Sequence, residues 1–327
     1  MAIPRITVVG SYATGLTMKV DRLPSTGETL LGTGYRVDYG GKGSNQAVGC
    51  ARLGSQVSFI ARIGNDAFAE MAMSLYCDEK IDVTHVRPTS GTPTGVGFIM
   101  VEAASGRNCI VLDPGANELL TAEDVSQSGP AFNSSAVVLT QLEIPVAAAA
   151  AALSRGRAGG AITILNPAPV RSLPSSILKM VDVLTPNETE AKVLAGRSPD
   201  AALHREEDAV GLARELIARG VKQVVMTMGE KGALIVTTSS VIHIPAVEMH
   251  AVDTTGAGDA FNAGLATALA RGTSLGAAVE FAVVTGGLAV TKEGVIPSLP
   301  RRDEVLGFYR QRGLALPNWF SGNLTDL

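Results

Sequence analysis

One rhythm limits what this chain can become: short apolar runs rich in β-branched residues alternate with stretches of helical spacing along most of its length. Ile6 to Val9 is the first such run and opens into a loop at Gly10. Ser44 to Leu53 has helical spacing and stops at Gly54, Val57 to Ile63 is the next strand, and Asp66 to Lys80 the next helix. From Ala136 the alternation is regular. Strand runs at 136–142, 162–165, 181–184 and 223–228 are joined by helical stretches, and a hairpin at 233–244 leads to two long helices after Gly258. Continuous apolar strands separated by crossover helices predict an α/β fold with a doubly wound, mostly parallel sheet.

Two segments break the rhythm. Val20 to Tyr39 alternates polar and apolar residues around turn signals, and Thr94 to Val101 with Asn108 to Leu112 reads as two strands joined through Ser105-Gly106. Paired with each other, these ribbons predict a small β-sheet lid, inserted at about 16–40 and 92–113 of a body that spans residues 1–300. Residues 301–327 then carry a short helix and a tail whose Trp319 and Phe320 are expected to pack on the body.

Composition narrows the partners. Twenty-seven Lys and Arg against 31 Asp and Glu give a net charge of −4 without a dense basic run, which speaks against nucleic acid or an anionic membrane surface as a partner. The apolar tracts are interrupted before they reach spanning length, so no transmembrane helix is expected. Cys50, Cys77 and Cys109 have no metal-type spacing and point to a reducing cytoplasm. The four histidines show neither metal nor triad spacing, and Gly-x-Ser-x-Gly and Gly-x-Gly-x-x-Gly turns are absent.

In an open α/β sheet, ligands bind beyond the carboxyl ends of the strands, so the polar residues that follow each strand belong together. The richest such stretch runs from Val252 to Gly264. Gly256-Ala257-Gly258 strips the side chains from a turn that opens a helix, where unpaired backbone N–H groups and the helix dipole hold an anion, and Asp259 stands beside it. In Leu184-Thr185-Pro186-Asn187-Glu188-Thr189-Glu190, a capping box accounts for Thr185, Pro186 and Glu188. Asn187 and Glu190 then share a face of the first turn, where their oxygens could hold a water-clad Mg²⁺; a solvated helix face fits the spacing equally. Thr227-Met228-Gly229-Glu230-Lys231-Gly232 suits a loop close to nucleotide phosphates, though a tight hairpin needs the same glycines. Gly40-Gly41-Lys42-Gly43-Ser44-Asn45 is not a Walker A loop; with Asn45 on the first helical turn it could grip sugar hydroxyls, or be a strained turn capped by Ser44 or Asn45.

Assembled in order, these stretches resemble the ribokinase (PfkB) family of carbohydrate and nucleoside kinases from Ile6 to about Pro300. Gly40 to Ala47 is similar to the family's first signature and Asp253 to Asp259 with Gly264 to its second, the more specific of the two. The resemblance implies phosphoryl transfer from ATP to a sugar hydroxyl, with Asp259 as the base and Gly256, Ala257 and Gly258 as the anion hole. It implies sugar contacts from Gly41, Lys42, Asn45 and Glu143, and Mg²⁺ and phosphates organised by Asn187 and Glu190. Thr227, Gly229, Gly232 and Gly258 would bind the nucleotide. Asp253, Thr255, Ala289, Lys292, Gly294 and Ser298 would surround a monovalent cation, K⁺, and the lid would exclude water and support a homodimer.

One departure bears on the substrate. Relatives carry Asn and Asp in the loop after the first strand, the Asp gripping two ribose hydroxyls, where this chain has Ala13 and Gly15. Losing a bidentate acceptor in a buried site costs a few kcal/mol for that sugar, so the expected substrate is a sugar other than ribose, with Tyr12 or Thr14 as a new contact. A nucleoside kinase of the same fold and a non-catalytic sugar-sensing protein are the alternatives.

Overall fold

The computed structural model describes residues 3–320. Its large sheet begins with β1 (Arg5–Val9), and a separate ribbon follows at once: β2 (Ala13–Val20) and β3 (Thr33–Gly40). Helix α1 (Lys42–Arg52), β4 (Gln56–Ile63), α2 (Ala67–Asp78) and β5 (Asp82–Pro88) return to the large sheet, after which β6 (Gly95–Glu102) and β7 (Asn108–Asp113) rejoin the small one. Two short helices, α3 (Ala122–Gln127) and α4 (Gly129–Phe132), precede β8 (Val137–Thr140), α5 (Val146–Ala158), β9 (Ile162–Leu165), α6 (Ser175–Leu178) and β10 (Val183–Leu184). Then come α7 (Glu188–Leu194), α8 (Glu206–Ala218), β11 (Gln223–Thr227), β12 (Ala233–Val236) and β13 (Val241–Ile244). Four helices end the described chain: α9 (Ala257–Ala270), α10 (Leu275–Ala289), α11 (Val295–Ser298) and α12 (Arg302–Gln311).

The large sheet has the order β13-β12-β11-β10-β9-β8-β1-β4-β5, with all strands running one way except β12, which is antiparallel to both neighbours. Successive side chains on its central strands enter opposite cores: Val8 and Phe59 join the cluster under α1, α9 and α10, while Val9 and Ile60 join the one under α5 and α8. Both faces being covered explains why these strands read as unbroken apolar runs. Strand order reverses between β1 and β8, the place where a doubly wound sheet opens its binding crevice.

The small sheet has the order β3-β2-β6-β7, with β2 and β6 parallel and the outer pairs antiparallel. Its first strand starts at Ala13 rather than near residue 16, because Thr14 and Thr17 are buried and carry the strand straight out of the core. Strand β5 has no counterpart in the sequence reading. It lies on the sheet edge and alternates in burial, so its apolar signal is diluted by Asp82, Thr84, His85 and Arg87.

The tail packs as expected as far as residue 320. Trp319 and Phe320 each meet the Phe281 ring edge-on at 4.8 Å, contacts worth about 0.5–1.5 kcal/mol each beyond the buried area. The remainder of the expected tail, 321–327, lies outside the described residues. Among the described residues no helix is long and apolar enough to cross a membrane.

Candidate active site

The loops that follow β1 and β8 meet at the switch point. Ser11 Oγ donates to Glu143 Oε2 at 2.6 Å, and the Lys42 N–H, opening α1, donates to the same oxygen at 2.8 Å. This knot forms because the glycines before α1 let two backbones touch. A Cβ on Gly43 would lie 2.4 Å from Ser11 N, and Gly41, at φ 86°, would place one 2.6 Å from Tyr12 Cα. Gly41 rather than Ser44 or Asn45 is the N-cap residue of α1, which puts Asn45 and Gln46 inside the helix and buried.

Helix α1 lies close against α9: a Cβ on Gly49 would be 2.6 Å from Ala263 Cβ. That approach delivers two amides to one carboxylate. Asn45 Nδ2 donates to Asp259 Oδ2 at 2.8 Å and Gln46 Nε2 to Asp259 Oδ1 at 2.9 Å, with Asp259 only 5% exposed. Gln46 also donates to Asn166 Oδ1 at 3.0 Å and accepts from Gln141 Nε2 at 2.6 Å. Asn166 reaches the Thr185 carbonyl, Thr185 Oγ1 donates to Asn262 Oδ1 at 2.7 Å, and Asn262 closes on the Gly258 carbonyl at 2.8 Å. The loops after β8, β9 and β10 are thus wired into the first turn of α9. Each buried amide left unpaired would cost about 1–3 kcal/mol, so the network fixes the Asp259 rotamer. Asn45 Oδ1 and Gln141 Oε1 are the exceptions in this network: both are buried without a hydrogen-bond partner, and Asn45 Oδ1 can accept from a ligand hydroxyl.

Gly256 sits in the left-handed region at φ 84° and caps α9, so the N–H groups of Gly258 and Asp259 fall in a first turn that offers them no intrahelical acceptor. Gly258 faces open space. The Lys42 ammonium is held above its ordinary pKa by the charge of Asp259, against burial, with Glu143 and Glu190 adding to the effect. The cleft therefore combines a fixed carboxylate, a permanent cation and a helix N-terminus.

Asn187 and Glu190 require a correction. Asn187, not Thr185, caps α7: its Oδ1 accepts from Glu190 N at 2.8 Å, and Glu190 Oε2 accepts from Asn187 N at 2.9 Å. The capping box is therefore built from the two residues the sequence left over, while Thr185 spends its hydroxyl on Asn262. Burial holds the Glu190 carboxyl above its ordinary pKa despite the Asn187 N–H and Lys42. Its Oε1 takes no part in the cap.

The loop after β11 lies alongside, since Thr227 N donates to the Pro186 carbonyl at 2.9 Å. Gly229, at φ 57°, has open space around it, whereas a Cβ on Gly232 would strike the Ile244 carbonyl at 2.1 Å, so the hairpin itself demands that glycine. Around Asp253, Thr255 N donates to Oδ1 at 2.9 Å and Gly294 N to Oδ2 at 3.0 Å. Burial would raise the Asp253 pKa, but the Thr255 hydroxyl and N–H, the Gly294 N–H and the charge of Arg36 outweigh it and pull it down. Ala289 and Ser298 are fully buried near this loop, and the Lys292 side chain turns away to pair with Glu304.

Tyr12 and Thr14 do not reach the site. Both are 0% exposed, with the two hydroxyls 3.1 Å apart, and burial pushes the Tyr12 phenol up to about 12. Alternation on the strand explains it: Ser11, Ala13 and Gly15 take the site face and the residues between them the core. Conversely, Gln46 and Asn262 hold the site together without having been named as candidates, and they do so with Gln141 and Asn166, polar residues that follow strands. Their signal is polar amides in apolar surroundings: Gln46 follows Asn45 in a helix of small apolar residues, and Gln141 and Asn166 each follow a buried strand.

The chain is similar to known carbohydrate kinases along most of its length. The family model described as pfkB family carbohydrate kinase matches residues 4–302. A ribokinase of Haemophilus influenzae is 38% identical over 303 residues, covering 93% of this chain and 97% of the relative. A deoxyribokinase of Salmonella typhi is 35% identical over 296 residues, covering 90% and 95%. Among solved structures, a ribokinase of Thermotoga maritima superposes with a TM-score of 0.83 at 34% identity, covering 94% of this chain and 100% of its own. An Arabidopsis thaliana ribokinase complexed with ribose and ATP gives 0.85 at 29% identity, covering 98% and 100%. With its ordered motifs, its large mostly parallel sheet and its smaller second sheet, the chain belongs to the pfkB family of carbohydrate kinases.

Proposed function

We propose that this kinase moves the γ-phosphoryl group of ATP to a hydroxyl of a sugar other than ribose, with Asp259 as the general base. The observation that carries the reading is the pair of amides, Asn45 and Gln46, that hold the Asp259 carboxylate beside the open N-terminal turn of α9. Each carboxylate oxygen keeps a lone pair after accepting one N–H. One takes the proton of the sugar hydroxyl as its oxygen bonds to phosphorus, while the bond from phosphorus to the β–γ bridging oxygen breaks and ADP leaves with that electron pair. The Gly256, Ala257 and Gly258 turn meets the charge on the transferring group and Lys42 adds a second positive field. Gly41, Asn45 and Glu143 hold the sugar, and Thr227, Gly229 and Gly232 line the nucleotide side.

The residues present fit a divalent ion carried by ATP through Glu190 Oε1, whereas Asn187 Oδ1 is engaged in the cap. Mg²⁺ keeps several waters and needs one or two protein oxygens beside the phosphates, where it would neutralise their charge. Asp253, the carbonyls of Thr255, Ala289, Lys292 and Gly294, and the Ser298 hydroxyl form an all-oxygen set suited to K⁺, which would stiffen the anion hole.

The face bearing Ala13 and Gly15 has no acceptor on those two residues, which favours a sugar with a different hydroxyl arrangement. The small sheet serves as the lid that keeps water from the phosphoryl group. Its outer face supports a homodimer: Val37, Leu16, Phe98 and Val111 form one row across all four strands, with Phe98 55% and Val111 62% exposed. Three free cysteines among the described residues favour the cytoplasm. Measuring ATP turnover over pentoses, hexoses, ketoses, sugar phosphates and nucleosides tests the reading. Turnover of nucleosides alone would replace the substrate class, and tight sugar binding without turnover would make the protein a sensor.

A further inference from the structure

We infer that Asp38 grips the sugar from the lid, a hydroxyl acceptor standing one strand away from the empty position at Gly15. The inference rests on the sugar-kinase reading and deepens it by naming a residue that selects the substrate. Its basis is the register of the small sheet. Ala13 pairs with Gly40 and Gly15 with Asp38, so directly opposed residues share a face. That face is the one that starts at Ser11, whose hydroxyl binds Glu143, because the intervening Thr14 is 0% exposed. On β3 the same face runs from Gly40 back through Asp38 to Arg36, and Gly40 leads directly to Gly41 and to the Lys42 N–H on Glu143.

Asp38 is two residues, roughly 7 Å, along the strand from Gly40, the last strand residue before the turn that leads to the knot of Ser11, Lys42 and Glu143. A sugar lying over the glycine turn between Glu143 and the lid extends toward Asp38. A Cβ built on Gly15 would lie 3.8 Å from Asp38 Cβ, so the two positions look onto the same space. Orientation toward the site is supported from the far side. Arg36 Nη1 lies 3.4 Å from Glu293 Oε2, in the loop whose Gly294 N–H holds Asp253, and the Arg36 charge reaches Asp253. Asp38 itself is only loosely engaged: Oδ2 is 3.5 Å from Arg36 Nε, and its side chain is 33% exposed. It can turn both oxygens to a pair of hydroxyls.

Because adjacent strands are about 4.8 Å apart, an acceptor on β3 meets hydroxyls displaced by that distance from those an acceptor at position 15 would meet. The substrate is therefore a neutral polyol that extends toward β3, of hexose rather than pentose size. The alternative role for Asp38 is a surface pair with Arg36 that shapes the ribbon.

The test compares wild type, Asp38→Asn, Asp38→Ala and the double variant Gly15→Asp with Asp38→Ala, using D-ribose, 2-deoxy-D-ribose, D-fructose and D-tagatose. Steady-state kinetics are run alongside calorimetric binding of each sugar. A Cβ at Gly15 meets nothing closer than 3.5 Å, so the added Asp has room. Asp38→Ala is expected to raise KM and Kd for the best hexose roughly 10- to 100-fold and leave KM for ATP within about twofold. Asp38→Asn should fall between, and the double variant should shift preference toward D-ribose. A sugar KM within about twofold of wild type in Asp38→Ala overturns the inference, as does a rise in both KM values together with a lowered melting temperature. A wild type that neither binds nor turns over any of the four sugars overturns the sugar-kinase reading and this one with it, whereas an active wild type indifferent to Asp38 overturns this one alone.

Discussion

Asp259 and Asp38 are carboxylates on two walls around one strand-end site, and they are held in opposite ways. Asp259 is 5% exposed and receives two amide N–H groups, and the Gln46 amide is itself tied to Gln141 and Asn166 in the loops after β8 and β9. Asp38 is a third exposed, stands on a four-stranded ribbon and has a single long contact with Arg36. Phosphoryl transfer needs a base whose position is settled before the substrate arrives, since reorganisation at the moment of reaction adds to the barrier. Substrate choice needs only an acceptor in reach. A lid position can therefore change without disturbing the chemistry, whereas a change in the floor disturbs both chemistry and stability.

Asp259→Asn is the largest perturbation of that contrast. It should lower kcat by about 10²–10⁴, the range of a general base, while calorimetric sugar affinity stays within a few-fold of wild type. A near-normal kcat would remove Asp259 as the base. Gln46→Leu comes next and reads stability. It strips donors from Asp259 and Asn166 and the acceptor from Gln141, all buried, and should cost about 2–4 kcal/mol in urea unfolding. Asp38→Ala should stay within about 0.5 kcal/mol of wild type in the same experiment. Equal losses in the two variants would break the distinction between floor and lid.

The glycine-capped start of α9 was legible because its parts are neighbours in sequence: a glycine that tolerates positive φ, a helix pattern and a carboxylate three residues on. The parallel sheet was legible for a related reason, since burial on both faces leaves apolar runs that turns punctuate. What escaped depends on distant partners. Thr185-Pro186 fits the helix-start template as well as Asn187 does, and only a hydrogen bond from Thr185 to Asn262, 77 residues on, moves the cap by two positions. Gln46 looks like an interior helix residue until α9 is packed against α1. Tyr12 and Thr14 were assigned to the wrong face because the parity of β2 is set by Ser11 meeting Glu143, a contact 132 residues apart.

The two faces of the small sheet sharpen the comparison further. If its outer row is a dimer contact, Phe98→Glu places a charge amid Leu16 and Val111 and should shift the protein from dimer to monomer in sedimentation, with the melting temperature little changed at low concentration. A wild type that sediments as a monomer would withdraw the dimer and leave the row as an exposed apolar patch.

The smallest expected effect lies in Glu190, and its sign is the informative part. Burial raises the Glu190 pKa over its unfolded value, so the group favours the fold fully only below the ordinary carboxylate range, and that contribution is lost as pH rises through the folded pKa. At neutral pH the charge is therefore a cost. Glu190→Gln keeps an oxygen that can accept from the Asn187 N–H and removes the charge, so it should stabilise the protein by up to about 1 kcal/mol at pH 7.5. The gain should shrink toward pH 4, where wild type becomes protonated as well. Turnover should move the other way, falling as the oxygen offered to the cation loses its charge. Thermal melts of both proteins at the two pH values, paired with kcat at neutral pH, check the claim. A variant that is less stable at pH 7.5 would show that Glu190 is held for its cap alone, as a structural residue of α7 would be.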